Sequence, residues 1–160
     1  MTAPGRTLPH SIEAEQYVVC CCLIDAIDVL GRCQQAGVGP ESFYDNKNRI
    51  IVARMLTMLA DQKVIDLPSV AEELKTHGEL ESAGGYLLLA QISDLVPTTA
   101  QAGYYVDKVR ELAQLRSLIR VGTGLVEDCY GYHGDLQPIV DQVERLVALL
   151  SDRKTSRTWG

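Results

Sequence analysis

At 160 residues and 17.6 kDa the chain has the size of one ordinary domain and is too short for two catalytic ones. Apolar residues at 46% and charged residues at 22% match a folded globular protein and exclude a disordered one. Fifteen Lys and Arg against 21 Asp and Glu leave a net charge of -6, the wrong sign for a domain that grips nucleic acid or an acidic lipid surface unaided. The longest apolar run, Tyr17 to Ile24, falls well short of the ~20 residues a spanning helix needs, and Met1 to Leu8 has no apolar signal core. The expected compartment is therefore the cytoplasm. Five cysteines, three of them adjacent at Cys20, Cys21 and Cys22, form no disulfide framework in such a chain and are expected as reduced thiols.

With one Phe and one Trp, the apolar residues are chiefly Leu, Val, Ile and Ala, which favours packed helices. Residues 1–9 form a Pro- and Gly-containing flexible leader. Ser11 reads as an N-cap and Glu13 as a first-turn acid for a helix over Ile12–Ile24, apolar nearly all round and so central to the fold. A short amphipathic helix follows over about Ala26–Gln35. Gly37, Gly39 and Pro40 make a loop, and Glu41–Tyr44 a turn that inserts Phe43 into the core. Ile51, Met55, Met58 and Leu59 recur at helical spacing within Asn46–Asp61. Asp66 and Pro68 start a helix that carries Val70, Ala71 and Leu74 and stops at Gly78. Gly84 and Gly85 punctuate again, and Tyr86–Leu95 is a short apolar helix closed by Pro97.

One long helix is expected from about Thr99 to Cys129, a break at Tyr130–Asp135, and a last helix over Leu136–Leu150 with apolar residues at Leu136, Ile139, Val140, Val143, Leu146, Val147 and Leu150. The fold class is all-α: a globular helical head at 10–98, then a long antiparallel helical hairpin at 99–151 belonging to the same domain. Residues 152–160 read as the start of a linker to a further domain. Two helices cover only one face of each other, so the seven-residue stripe is the expected interface of a homo-oligomer.

Motifs for chemistry are missing. No Gly precedes a Lys, so there is no phosphate loop and no nucleotide hydrolysis is expected of this chain. Three consecutive helical cysteines point about 100° apart and cannot converge on one tetrahedral zinc, and Cys33 and Cys129 add no paired spacing. Small buried hydrophobes is the better reading of them. His10, His77 and His133 stand at a helix entry, a helix exit and a loop, without a nucleophile or paired carboxylate beside them. No catalytic, cofactor or metal site is assigned. Lys108, Arg110, Arg116 and Arg120 are interleaved with Asp107 and Glu111 and read as a solvated face ahead of a nucleic-acid site. Gly122 and Gly124 inside the long helix each cost about 1 kcal/mol relative to Ala. They mark a close backbone approach or a bend, or else a tolerated surface defect.

Leu8-Pro9-His10-Ser11-Ile12-Glu13-Ala14-Glu15-Gln16 resembles the opening of the N-terminal domain of bacterial DnaB-type replicative helicases. The similarity runs on in order through Glu41-Ser42-Phe43-Tyr44, Ile65-Asp66-Leu67, Val70-Ala71-Glu72-Glu73-Leu74, Gly84-Gly85, Val96-Pro97-Thr98 and Tyr104-Tyr105, covering about residues 8–150. The resemblance implies the collar of a hexameric ring built as a trimer of dimers, above an ATPase that moves along single-stranded DNA during DNA replication. It implies primase, through its C-terminal helical domain, and in some systems a helicase loader as partners, and ATP with Mg as cofactors of the full-length helicase but none for this domain. Primase-contact positions of the family fall at Leu88, where the family has an aromatic, and at Ile119 and Leu125. Cys20 to Cys22, Pro68, and Gly122 with Gly124 also depart from the family pattern. The alternative is a stand-alone phage- or plasmid-type protein that uses the same fold to bind a helicase or primase.

Overall fold

The computed structural model describes residues 6–158, with side chains through Ala148 and at Ser151. Among these residues it is all-helical: α1 (Ile12–Ile24), α2 (Ala26–Gln35), α3 (Asn46–Ala60), α4 (Leu67–Thr76), α5 (Gly85–Ser93), α6 (Ala102–Tyr130) and α7 (Gln137–Thr158), with one 3-10 turn at Pro40–Ser42. Helix starts are set by side chains. Ser11 Oγ accepts from Ala14 N at 3.1 Å, and Asp25, Asp45 and Asp66 do the same for α2, α3 and α4.

Two compact units divide the described residues, one over 9–113 and one of 6–8 with 114–158. The division falls inside α6, later than the boundary at 98 and 99 that the sequence suggests, because Ala102, Val106 and Val109 are buried in the first unit's core.

In the first unit α1 is the central element, packed against α2, α3 and α5. Val18, Val19, Cys20, Cys21 and Cys22 are all buried, which explains why this helix has no polar face. Phe43 is fully buried, as its turn predicts. Leu30, Ile51, Met55, Leu74, Leu89 and Ile92 complete the core around it.

Glu15 is the polar exception in α1. It is 2% exposed, and its carboxylate accepts from Tyr44 N at 2.7 Å, Asp45 N at 3.1 Å and Asn48 Nδ2 at 3.1 Å. Beside it the rings of His10 and Tyr44 stack at 4.0 Å. One side chain thus ties the opening motif to the Phe-Tyr turn and to the first turn of α3.

In the second unit the outer part of α6 and α7 form the antiparallel hairpin, joined through Gly134 at φ +97. Gln142 Nε2 donates to the Asp128 carboxylate, and the same side chain lies beside Gly124, which places these residues on the inner faces of the hairpin. Helix α7 continues to Thr158, past the expected end at Leu150 and through most of the segment read as linker. Asp152 to Thr158 contains neither Gly nor Pro, so nothing local stops it.

Candidate partner-binding surfaces

On a helix each residue turns about 100°, so the contact between Gln142 and Asp128 orients both faces of the hairpin. On α7, Ile139 and Leu146 share the side of Gln142 and are half-buried. Leu136, Val140, Val143 and Val147 lie on an adjacent stripe and are exposed, Val143 at 42% and Val147 at 54%. Six of the seven expected interface residues therefore divide into an inner and an outer set. The side chain of Leu150 lies outside the described residues.

Helix α6 divides the same way. Leu125 is half-buried and shares a face with Gln114, Leu118, Val121 and Asp128. Ile119 is turned about 120° from Leu125 and is 36% exposed, in line with Leu115, Gly122 and Val126. The two hairpin positions at which the resemblance implies primase contact thus do not share one face. Leu88 belongs to the other unit, on α5, half-buried against its core. It packs directly over Gly84, whose φ of +102 and closeness to the Leu88 side chain leave no room for a Cβ. Tyr86 and Leu87, at 53% and 71%, are the large exposed side chains of α5.

The basic set on α6 is not a uniform solvated face. Lys108 and Arg120 are exposed and Arg110 pairs with Asp107 at 3.4 Å, but Arg116 is only 3% exposed. The charge pattern along the helix misplaces Arg116, because interleaved acids carry no information about which side of the helix is covered.

Cys20, Cys21, Cys22 and Cys33 are buried. Burial pushes the Cys33 thiol up to about 11, and burial together with the neighbouring Cys33, Cys21 and Cys20 holds Cys22 well above the ordinary thiol range. Thiols held protonated are poor nucleophiles and poor metal ligands. Cys20 instead points its Sγ at the carbonyls of Ser93 and Val96, 3.5 and 3.7 Å away, where α5 ends. Among the described residues no group of three or more His, Cys, Asp or Glu is placed to hold a metal ion, and no helix is long and apolar enough to cross a membrane. His77 Nδ1 lies 2.8 Å from Glu73 O, as a helix-end residue does.

Residues 7–111 match the family model described as DnaB-like helicase N terminal domain. The chain is 33% identical over 151 residues to the replicative DNA helicase DnaB of Geobacillus stearothermophilus, covering 94% of this chain and 33% of that protein. It is 33% identical over 160 residues to the replicative DNA helicase DnaB of Haemophilus influenzae, covering 99% and 34%. The chain thus spans about a third of the length of the curated relatives it matches. Among solved structures, the N-terminal domain of DnaB helicase from Mycobacterium tuberculosis superposes with a TM-score of 0.78 at 31% identity, over 91% of this chain and 99% of that one. A DnaB-like replicative helicase, described with its interactions with primase, shares the fold with a TM-score of 0.71 at 20% identity, over 92% of this chain and 35% of that one.

Proposed function

The chain belongs to the DnaB-like helicase N-terminal domain family, and we propose that it acts as the collar of a replicative helicase ring, holding subunits together and recruiting primase during DNA replication. In this reading the intact protein carries an ATPase that uses ATP and Mg in the cytoplasm, and the collar itself binds no cofactor. A helicase loader is a further partner of the same collar.

The observation that carries the reading is the uncovered apolar surface of the hairpin. Leu136, Val140, Val143 and Val147 on α7, and Leu115, Ile119 and Val126 on α6, are aligned and exposed. A contiguous apolar face on a soluble domain marks an interaction site. We assign the α7 stripe to contact with a second copy, as a dimer or as a hexamer built from dimers. Ile119, Leu125 and Leu88 are assigned to primase, with Ile119 the most accessible of the three hairpin and head positions.

The two assignments separate in one experiment. Val143→Asp puts a carboxylate into the proposed subunit contact, where burying it unpaired costs more than the roughly 2–7 kcal/mol of an unpaired neutral polar group. Its light-scattering mass should fall to the monomer's 17.6 kDa, while its circular dichroism stays that of the parent. Ile119→Glu should weaken binding of the cognate primase C-terminal domain about tenfold by calorimetry, one buried aliphatic side chain being worth roughly 1.5–3 kcal/mol. A parent chain that is monomeric at tens of micromolar, or unchanged primase affinity, refutes the corresponding half.

A further inference from the structure

A groove of about 490 Å³ opens on the first unit, where the end of α1 and the start of α2 meet the turn that follows α3. Ile24, Ile27 and Val64 line it and are left in water, at 46%, 78% and 70% exposure. Leu59 and Ile65 also line it and back onto the core. The volume lies within the roughly 300–1,000 Å³ of ordinary ligand clefts. Single exposed aliphatic residues are common, but three that converge on one concave surface are not.

The fold does not need these side chains where they are. Helix α2 buries Ala26, Val29, Leu30 and Cys33, and Ile27 stands off that stripe. Val64 follows a turn in which Gln62 takes φ +57, the positive-φ position that is not glycine among the described residues. The turn is closed by Lys63 N donating to Met58 O at 2.9 Å, so Val64 is presented on fixed backbone.

The charges at the rim say what can cover it. Asp25 lines the groove and Asp61 adjoins it, and neither makes an ion pair among the described residues. Lys63 in the lining pairs with Glu73 at 2.7 Å and also lies in the field of Asp61, so the carboxylates of Asp25, Asp61 and Glu73 outnumber it. The rim is therefore acidic, on a chain whose total charge is -6. A second copy docked here by the same surface would set like charges against each other.

We propose that this groove receives an amphipathic helix of another protein, its apolar side chains at three- and four-residue spacing seated among Ile24, Ile27 and Val64, and its flanking Lys or Arg facing Asp25 and Asp61. The surface is distinct from the hairpin stripe and from the primase positions, so the proposal does not depend on that reading.

The probe is a fluorescent synthetic helix with leucines at three- and four-residue spacing flanked by lysines, titrated with the 160-residue chain. Two controls accompany it: the same helix with glutamates for lysines, and the lysine peptide in shuffled order. The lysine helix should bind and the controls should not. Ile27→Ser and Val64→Ser, both at exposed positions, should each weaken binding about fivefold or more, a fraction of full aliphatic burial. Asp61→Lys should weaken it about threefold and flatten its salt dependence. The proposal is overturned by absence of binding, by equal binding of either control, by indifference to both serine variants, or by a fall in the chain's own mass on Val64→Ser, which would make the occupant a second copy.

Discussion

A carboxylate at 2% exposure must have its lone pairs filled, and Glu15 fills them with two backbone N–H groups and an amide from a segment some thirty residues away. Hydrogen bonds to a charged group are worth roughly 1.5–3 kcal/mol, and donors left buried without an acceptor cost as much again. Glu15→Ala should therefore lower unfolding stability by about 3–5 kcal/mol, read from the midpoint of urea denaturation. The residue's neighbours in sequence give no hint of this role. Glu13, two positions earlier, looks equally like a first-turn acid, and only the return of the chain at Tyr44 distinguishes them. The buried thiols have a consequence at high pH. An unfolded cysteine ionises near 9, whereas Cys33 in the fold ionises near 11. Below pH 9 both states hold the proton. Between the two values the unfolded state has released it and the folded state has not, so stability falls as pH rises. The full loss is about 2–3 kcal/mol for a shift of this size. Denaturation at about pH 8 and pH 10.5 should show it, and Cys33→Ala should show a smaller loss over the same interval.

At the scale of elements, the caps and breakers are local signals, and where they exist the sequence is readable. Ser11 and the buried run after it mark α1, and Asp66 with Pro68 marks the start of α4. Where no breaker exists the reading stops short, as in α7, whose last turns carry charged and hydroxyl residues with no apolar period. The stripe on α7 shows a different limit. Seven apolar positions span more of the helix than one partner can cover, and periodicity cannot separate Ile139 and Leu146, which face α6, from Val140 and Val143, which do not. Gly122 was ambiguous for the same reason. Apart from its chain neighbours and its own helix backbone, no heavy atom of the described residues lies within 4 Å of the place its Cβ would occupy, and it stands in line with the exposed Leu115, Ile119 and Val126. Gly122→Ala should then raise the stability of the isolated chain by about 1 kcal/mol, measured as a higher thermal midpoint at low concentration.

For the whole molecule, the all-helical class and the hairpin are legible because both follow from composition and period. The buried position of Arg116 and the extent of the head are not, since they depend on which residues the chain folds back to cover. Val106 and Val109 look like the start of a hairpin helix and are in fact core of the first unit. The acidic balance, a net charge of -6, disfavours a surface that grips nucleic acid unaided. It leaves open, at the level of sequence, which surfaces meet other proteins, because an exposed valine and a buried one have the same letter.

The distribution of the five cysteines also makes the chain ready for site-specific labelling. Cys20, Cys21, Cys22 and Cys33 are shielded by the first unit's core, while Cys129 is exposed near the end of α6. A maleimide dye or nitroxide applied to the native protein is directed to Cys129 alone. It would sit beside the hairpin loop and report on the approach of another chain there, with no cysteine-free background to engineer.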